Sequence, residues 1–473
     1  MNIALLASEI SVVVLALFLL VFDLLLPKQE TRRSLGYLAV CGVTAILVYT
    51  ATRYGDAASV YHGFFVVDNF ALFFKLLFLA ATLLTILFSF DYVEKMTRSG
   101  GEFYALLLFA LLGMMVMASA SDLLTLFVGL ELMTIVFYAL VGFDLKNKRS
   151  SEAGIKYMIL GSAASAILLY GMSWVYGFTG TLMLKEIAQN AAATPAMMLG
   201  MGLMLAGLCF KLSIVPFHMW APDVYEGAPV SITAMLAMGS KAAAFAVLLR
   251  IFITAFGSLQ AYWITVVTAL AALSMVVGIV IAMWQSNVKR MLAYSSVAQA
   301  GYILSGLLAA DVAGIKGMLF YVVLYMFANV GAFAVVTAVS NETGSDERSA
   351  FKGLSQRSPL LALVMTLSLM SMAGLPPMAG FVGKLYLFMA ISEQGFFWLA
   401  VLGFVMSMIS VYYYMLVVKE MYSPAAEPAE AAPLYFSGTL RLAAVLSLFG
   451  TIFLGVYPGP LSQLAAAAAK VLW

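Results

Sequence analysis

The chain has 473 residues, of which 64% are hydrophobic and only 10% are charged, and its formal net charge is +2. Its mean hydropathy is +1.01. Soluble domains carry roughly a quarter charged residues, so this composition excludes a soluble globular protein. Apolar runs of about 20 residues, without the alternating ten-residue segments of a transmembrane barrel, indicate membrane-spanning helices. The near-neutral charge and the lack of a basic run give no reason to expect nucleic-acid binding.

We predict an all-α polytopic membrane protein with about fourteen transmembrane helices. The predicted spans are 4–26, 34–52, 69–90, 103–119, 122–142, 153–178, 196–217, 229–255, 260–283, 289–309, 313–340, 358–391, 396–421 and 438–457. The first span is not expected to be a signal peptide, since it lacks a basic beginning, contains Glu9 and ends at Pro27 without a small-residue cleavage site. Connections are mostly short, and the Pro/Ala/Glu stretch Ser423–Pro433 is predicted to be a solvated linker.

Span five contains Glu131, which we take to be the only acid well inside any span. Burying a charge in hydrocarbon is costly, so an intramembrane ionisable residue is a functional hypothesis by default. We expect Glu131 to pair with a buried lysine, so that separating the pair releases a proton and restoring it captures one. An ion pair that only locks two helices together is the structural alternative.

The stretch Leu203–Arg250 predicts two spans joined by a turn, each containing a lysine. Lys211 lies in the first, which Pro216 should break because proline lacks a backbone donor. Lys241 lies about twelve residues into the second, near the middle of the bilayer. A broken helix is tolerated at that depth only where protein or a water-filled cavity satisfies its backbone. Two buried lysines beside a broken helix therefore suggest an ion path.

A second broken helix is predicted in span twelve, at Leu375–Met378, with Lys384 following it. Spans seven and twelve stand five apart, as expected if spans 4–8 and 9–13 are two inverted five-helix repeats. We expect Lys241 and Lys384, one in each repeat, to be successive stations of a proton relay. The corresponding segments are an N-terminal three-helix segment (1–102), the two repeats (103–256 and 257–422) and the linker with the last helix (423–473).

Several other polar residues are weaker candidates. Lys156, one turn into span six, is expected to reach the membrane surface, where it could assist proton uptake. His218 follows the break in span seven and either relays protons or bonds carbonyls that the break frees. Lys75, near one end of span three, is expected to snorkel to the surface. A stripe in span ten that could hold ordered water comprises Tyr294, Ser295, Ser296, Gln299 and Tyr302.

The cysteine and histidine content argues against a cofactor in this chain. Cys41 and Cys209 both fall inside spans and are expected to be packing residues. With His62 and His218 as the only histidines, iron–sulfur ligation by this chain is excluded and haem is disfavoured. We therefore expect no metal and no redox cofactor to be bound here.

The basic residues of the loops predict the orientation of the spans. Alternate loops, beginning with the first, hold fifteen of them: Lys28, Arg32, Arg33, Lys95, Arg98, Lys146, Lys148, Arg149, Lys289, Arg290, Arg348, Lys352, Arg357, Lys419 and Arg441. The other loops and the tail hold five: Arg53, Lys185, Arg250, Lys316 and Lys470. The positive-inside rule then places the first loop in the cytoplasm and both termini outside.

Four linked motifs carry a resemblance to a known family: PFHMWAPDVYEGAP after a buried lysine, a Ser-Lys pair in the next span, KRMLAYSSVAQAGY and GLPPMAGFVGKLYLF. Over essentially the whole chain they resemble the antiporter-like subunits of proton-pumping NADH:quinone oxidoreductase, or respiratory complex I. The resemblance implies fourteen helices with two inverted five-helix units, and proton-path roles for Glu131, Lys211, Lys241 and Lys384. Gln299 departs from the pattern, because some relatives have His there, which implies that water must bridge the gap.

The resemblance implies a non-redox, proton-translocating subunit of that translocase. Its partners would be other membrane-arm subunits, including antiporter-like ones, together with lipid and protons. Flavin, iron–sulfur clusters and NADH would be bound by partner subunits, and quinone by the complex outside this chain. Two alternatives stay open: a subunit of a multisubunit cation/proton antiporter, and a structural membrane-arm subunit that conducts nothing. The buried charges argue against the second, since a purely structural role would not require them.

Overall fold

The computed structural model describes residues 3–26, 33–95, 100–424 and 433–473. Within these ranges, thirteen helices are long and apolar enough to cross a membrane. The predicted span 358–391 is present as two shorter helices, Pro359–Ala373 and Ala379–Glu393, on either side of its prolines. Together with the thirteen, this interrupted helix accounts for the predicted spans. The predicted fold class, an all-α polytopic membrane protein, is confirmed.

Three helices form the N-terminal segment: α1 (Ala7–Leu25), α2 (Arg33–Thr52) and α3 (Asn69–Lys95). The loop between α2 and α3 contains an antiparallel hairpin, β1 (Ala58–Val60) and β2 (Phe65–Val67), with Ser59 opposite Val66. From the sequence only a loop is predicted there. Such a short hairpin is only marginally stable on its own. Its apolar side chains pack against Leu72 of α3 and against Leu5 and Leu6, which precede α1.

Two groups of helices follow, which correspond to predicted spans 4–8 and 9–13 and are called the first and the second unit. The first contains α4 (Gly100–Ser119), α5 (Leu123–Val141), α6 (Lys148–Thr179), the short α7 (Leu184–Asn190), α8 (Pro195–Leu212), α9 (Trp220–Gly227), α10 (Val230–Met235) and α11 (Lys241–Leu249). The second contains α12 (Gln260–Ala282), α13 (Val288–Ser305), α14 (Val312–Thr343), the one-turn α15 (Leu354–Arg357), α16 (Pro359–Ala373), α17 (Ala379–Glu393) and α18 (Phe397–Tyr422).

The chain closes with α19 (Gly438–Val456) and α20 (Gly459–Ala469). With 11 residues α20 is too short to cross a bilayer, and it packs against α3 and α14. No element is predicted from the sequence at that position. Most of the predicted linker Ser423–Pro433 lies outside the described residues.

Polar side chains mark where many of the spans begin. The Asp122 carboxylate accepts hydrogen bonds from the amides of Leu124 and Thr125, each at 2.9 Å, and so caps α5. Side chains cap four further helices in the same way: Asn147 caps α6, Thr194 caps α8, Asn287 caps α13 and Asp311 caps α14. These side chains satisfy amide groups that the first helical turn leaves without a partner, which is why so apolar a chain keeps them.

The helix break expected at Pro216 is present. α8 ends at Ser213, which is left-handed with φ 58°, and the chain turns before α9 begins. Neighbouring side chains bond the freed backbone groups: Trp220 Nε1 donates to the Phe210 carbonyl at 2.8 Å, and the amide of Val215 donates to Ser274 Oγ at 3.0 Å. Protein side chains therefore provide the hydrogen bonds that the backbone groups at the break need, as is required within a membrane.

Burial separates the central helices from the peripheral ones. The most apolar stretches of Val230–Ala255 and Val288–Ala309 are entirely buried, whereas those of α1, α2 and α19 are 28%, 33% and 33% buried. The buried central helices are not more hydrophobic than the peripheral ones. The mean hydropathy of Val288–Ala309 is 1.2, whereas that of the first span is 2.7. The interior of this bundle therefore holds the polar residues, and its periphery presents apolar side chains outwards.

Candidate functional site

Lys211 ends α8 and points into the first unit. Its side chain is 1% exposed, and Nζ donates to Thr134 Oγ1 of α5 at 3.0 Å. Glu131 lies one turn before Thr134, and its Oε1 is buried without a hydrogen-bond partner. Among the described residues no ion pair within 4.0 Å joins Glu131 to a lysine. The expected direct pair is therefore not formed, and Lys211 bonds Thr134 instead.

Lys241 lies at the centre of the bundle and is 3% exposed. Its Nζ donates to the carbonyl and to Oγ of Ser296 in α13, at 3.0 and 2.8 Å, and it lies 5.9 Å from the ring centre of Tyr225. The turn that precedes it, Leu236–Ser240, is π-helical. Such widened turns are frequent at functional sites, and this one is not predicted from the sequence.

Lys384 lies at the second helix break and is 4% exposed. Its Nζ donates to the carbonyls of Met372 and Ala373, at 2.9 and 3.1 Å, and to Ser407 Oγ at 2.7 Å. Met372 and Ala373 end α16, where the break leaves carbonyls without an intrahelical partner and the helix dipole favours a cation. The broken helix thus supplies the oxygen atoms that hold this ammonium group.

Gly374 makes room for that arrangement. Its φ of 82° is left-handed, and a Cβ placed there would lie 2.9 Å from Lys384 Cδ. A side chain at this position would therefore be strained and would also displace the lysine.

Gln299 belongs to the polar groups between the two central lysines. It lies three residues after Ser296 on α13, and its Nε2 donates to the Met372 carbonyl at 2.9 Å, the same oxygen that accepts from Lys384. Its Oε1 accepts from the Tyr321 hydroxyl at 2.5 Å. Gln299 thus meets the Lys384 end of this arrangement, and a bridging water between Ser296 and Gln299 stays a prediction. Two further residues of the polar stripe meet the lysines: Ser296 accepts from Lys241, and the ring centre of Tyr302 lies 4.6 Å from Lys384 Nζ.

His218 lies at the break, where the backbone of Pro216 is its nearest polar partner. Trp220 bonds the Phe210 carbonyl, while His218 is 6% exposed and its Nδ1 makes no hydrogen bond of normal geometry. Its ring lies edge-on to Tyr294, with 6.4 Å between the ring centres. A relay role for His218 stays a prediction.

Lys156 is half-exposed and belongs to an ion-pair cluster at the membrane surface. Its Nζ lies 2.7 Å from Glu152 and 2.9 Å from Asp223, and Arg290 lies 2.7 Å from Asp223. Burial opposes ionisation of the Asp223 carboxyl, but hydrogen bonds from Lys156 and Arg290 outweigh it and hold the pKa of Asp223 below its usual value. Lys156 thus reaches the surface as expected.

Two sequence-based expectations are wrong. Lys75 does not snorkel: it is 1% exposed and its Nζ lies 2.7 Å from Glu9 Oε1. Glu9 is itself 5% exposed, so Glu131 is not the only acid inside a span. Each charge is compensated by the other, which is what makes burial of both possible. This pair joins α1 to α3 and involves none of the lysines of the two units.

Two partners of the lysines and one partner of Gln299 escaped the sequence analysis: Thr134, Ser407 and Tyr321. A hydroxyl in an apolar span is also typical of ordinary helix packing, so sequence alone does not single them out. Their role follows from the lysine or amide that each one meets. Among the described residues, no three His, Cys, Asp or Glu side chains are grouped so that they could hold a metal ion.

Comparison with known proteins gives consistent matches. The model of the NADH:quinone oxidoreductase/Mrp antiporter transmembrane family matches residues 120–410. NADH-quinone oxidoreductase subunit N of Heliobacterium modesticaldum is 52% identical over 475 residues, which cover 100% of each chain. A chain of respiratory complex I from Thermus thermophilus with bound aureothin is 34% identical, with a TM-score of 0.83 over 97% of this chain and 99% of that one. A chain of the Mrp complex from Dietzia sp. has a TM-score of 0.88 over 100% and 98%, but at 22% identity it shows a common fold alone.

Proposed function

The chain belongs to the NADH:quinone oxidoreductase/Mrp antiporter transmembrane family, and on that premise we propose that it is an N-type, proton-translocating subunit in the membrane arm of an NADH-quinone oxidoreductase. The chain moves protons across the membrane through buried lysines. The driving force comes from redox chemistry in other subunits of the complex. In this role the chain is a non-redox part of a translocase.

The observation that carries this proposal is the arrangement of polar groups between Lys241 and Lys384: Lys241 is bonded to Ser296, and Gln299, three residues later on α13, shares the Met372 carbonyl with Lys384. Among the described residues, no carboxylate lies within 4.0 Å of the Lys241 or Lys384 ammonium group. Each of these charges is therefore stabilised only by the dipoles of carbonyl and hydroxyl groups. A lysine held in this way can gain and lose a proton without breaking a buried ion pair.

Each residue of this arrangement has its own task. Lys241 and Lys384 change charge as protons pass, whereas Gln299 positions the oxygen atoms between them, because an amide neither gains nor loses a proton at neutral pH. Lys211 is a further station in the first unit, and Glu131 biases its charge. Lys156 and His218 are assigned to proton uptake and transfer with less structural support.

We place the cofactors elsewhere in the complex. Flavin, iron–sulfur clusters and NADH are assigned to partner subunits, and quinone is assigned to the complex and not to this chain. The partners of this chain are other membrane-arm subunits, antiporter-like ones among them, in a bacterial inner membrane. The division into segments 1–102, 103–256, 257–422 and 423–473 is part of the same proposal.

The two alternatives have less support. A cation/proton antiporter subunit would share this fold, but the likeness to the Mrp chain is one of fold alone, whereas the N subunit is 52% identical over the whole chain. A non-conducting structural subunit would not require three lysines buried in two different units.

Gln299 offers a test of the connection between the stations. We expect Gln299→Leu to slow pumping about ten- to a hundredfold, because leucine removes the hydrogen bonds that position the Met372 carbonyl and the Tyr321 hydroxyl, and raising the barrier to proton transfer by about 1–3 kcal/mol has an effect of that size. Gln299→His should keep most of the rate, since a ring nitrogen can still donate towards Met372. Proton pumping and NADH:quinone turnover would be measured in vesicles with the complex intact on a native gel. Full pumping by the leucine variant would remove Gln299 from the path.

The loop charges predict the orientation, with both termini in the periplasm and residues 146–149 in the cytoplasm. Reporter fusions after Arg149 and after Trp473 should therefore report opposite sides of the membrane. Alkaline phosphatase and a fluorescent protein, which are active on opposite sides, give complementary readings at each position. Fusions reporting the same side at both positions would contradict the predicted topology.

A further inference from the structure

One kind of contact recurs at the three buried lysines of the two units: the side-chain nitrogen donates to a hydroxyl group of another helix. The pairs are Lys211 with Thr134 at 3.0 Å, Lys241 with Ser296 at 2.8 Å and Lys384 with Ser407 at 2.7 Å. These hydroxyl groups lie on α5, α13 and α18. A hydroxyl differs from a carbonyl in carrying both a donor hydrogen and acceptor lone pairs. The recurrence therefore points to a task that a carbonyl oxygen cannot perform.

At Lys384 the protein provides an acceptor for every hydrogen of the ammonium group. Its three N–H donors meet the carbonyls of Met372 and Ala373 and the Oγ of Ser407. Ser407 is 5% exposed, and its own hydroxyl donates to the Ala373 carbonyl at 2.7 Å. Lys384 Nζ, Ser407 Oγ and the Ala373 oxygen thus form a closed triangle of hydrogen bonds. In the charged state of the lysine, each of these polar atoms has a partner.

Loss of a proton changes what the lysine needs. When a proton passes from the ammonium group to a water molecule, hydronium forms and a neutral amine remains, with two N–H donors and one lone pair. The two donors can stay on the Met372 and Ala373 carbonyls, but the lone pair then requires a hydrogen. A carbonyl has none to give, whereas Ser407 can turn its hydroxyl from Ala373 to the nitrogen. Because Lys384 still donates to the Ala373 carbonyl, that buried oxygen keeps a partner in both states.

We propose that Ser407 is a further residue of the proton-transfer step, a two-way hydroxyl that accepts from the Lys384 ammonium group and donates to the amine. Ser296 has the same arrangement at Lys241, since it accepts from Nζ while its Oγ donates to the Ala293 carbonyl at 2.7 Å. Turning a hydroxyl moves one hydrogen and no heavy atom, so both charge states fit within the same closely packed helices. The inference rests on the proposed function and deepens it by naming the group that lets a buried lysine change its charge.

The test compares substitutions that change the hydroxyl of Ser407. Ser407→Ala removes both the donor and the acceptor, Ser407→Thr keeps both, and Ser407→Asp supplies a carboxylate that accepts but has no hydrogen to donate. Ser410→Ala is the matched control, because Ser410 is also a buried serine of α18, but its hydroxyl donates to a backbone carbonyl, that of Ser407, at 2.6 Å. Proton pumping and NADH:quinone turnover are measured in vesicles, with the complex confirmed intact on a native gel.

We expect Ser407→Ala to slow pumping about ten- to a hundredfold, because the lone pair of the buried amine is left without a donor. Ser407→Asp should slow it at least as much, since a carboxylate holds the lysine in its charged state. Ser407→Thr and Ser410→Ala should keep most of the rate. Full pumping by the alanine or the aspartate variant of Ser407 would overturn the proposal, and so would equal losses in the alanine and threonine variants, which would indicate packing.

Two further variants keep the result decisive. Where a Ser407 variant does not assemble, Ser296→Ala decides the matter at Lys241: a similar loss supports the role of the hydroxyl, and full pumping overturns it. Lys384→Met, measured in parallel, separates this inference from the proposed function. Full pumping by Ser407→Ala together with loss in Lys384→Met would contradict the role of the hydroxyl alone, whereas full pumping by Lys384→Met would contradict the proposed function itself.

Discussion

Lys241→Met or Lys384→Met is expected to stop proton pumping while the complex still assembles. Methionine keeps a similar apolar length and removes the group that must change charge. Lys→Arg should also impair pumping at both positions, because arginine does not release its proton at accessible pH. Since pumping and electron transfer are expected to be tightly coupled, NADH:quinone turnover should fall together with pumping.

Pumping and turnover would be measured in vesicles, with assembly confirmed on a native gel. Lys185→Met is the matched control, since Lys185 is an exposed lysine on the short α7, away from this arrangement of polar groups. It should leave both rates unchanged. If both central variants assemble and pump at the unmodified rate, these lysines are not on the path and the proposed function loses its main support.

Glu9→Gln is expected to destabilise the N-terminal segment by about 3–5 kcal/mol, because it leaves the ammonium group of Lys75 buried without its counter-charge. The pair is closed at 2.7 Å, with 2% and 7% of the two side chains exposed. The double variant Glu9→Gln/Lys75→Met should recover much of the loss, since it removes the uncompensated charge. The measurement is the thermal unfolding temperature of the purified complex and its yield after assembly.

The control lies in the same segment. Arg33 and Glu94 also form an ion pair at 2.7 Å, but their side chains are 51% and 33% exposed. Solvent screens such a pair, so Glu94→Gln should cost no more than about 1 kcal/mol. Equal effects of Glu9→Gln and Glu94→Gln, or no recovery in the double variant, would show that burial of the Glu9–Lys75 charges does not determine the stability of α1.

Much of the candidate site could be predicted from local sequence. A proline inside an apolar run removes a backbone donor wherever the chain folds, so both broken helices and the lysines beside them were found from the residues alone. The spans were found for the same reason, because a bilayer demands about 20 apolar residues whatever surrounds them.

Only the tertiary structure decided which groups meet. Lys75 and Glu131 both looked like single charges in apolar spans, yet Lys75 is paired with Glu9, 66 positions earlier, and Lys211 bonds Thr134 and not Glu131. Gln299 looked like a gap in the relay, and packing places it on the carbonyl that also holds Lys384. The free energy of a buried charge depends on the atoms within a few ångströms, and helix packing brings those atoms from distant parts of the chain. Sequence spacing therefore located the charges, and packing alone determined their partners.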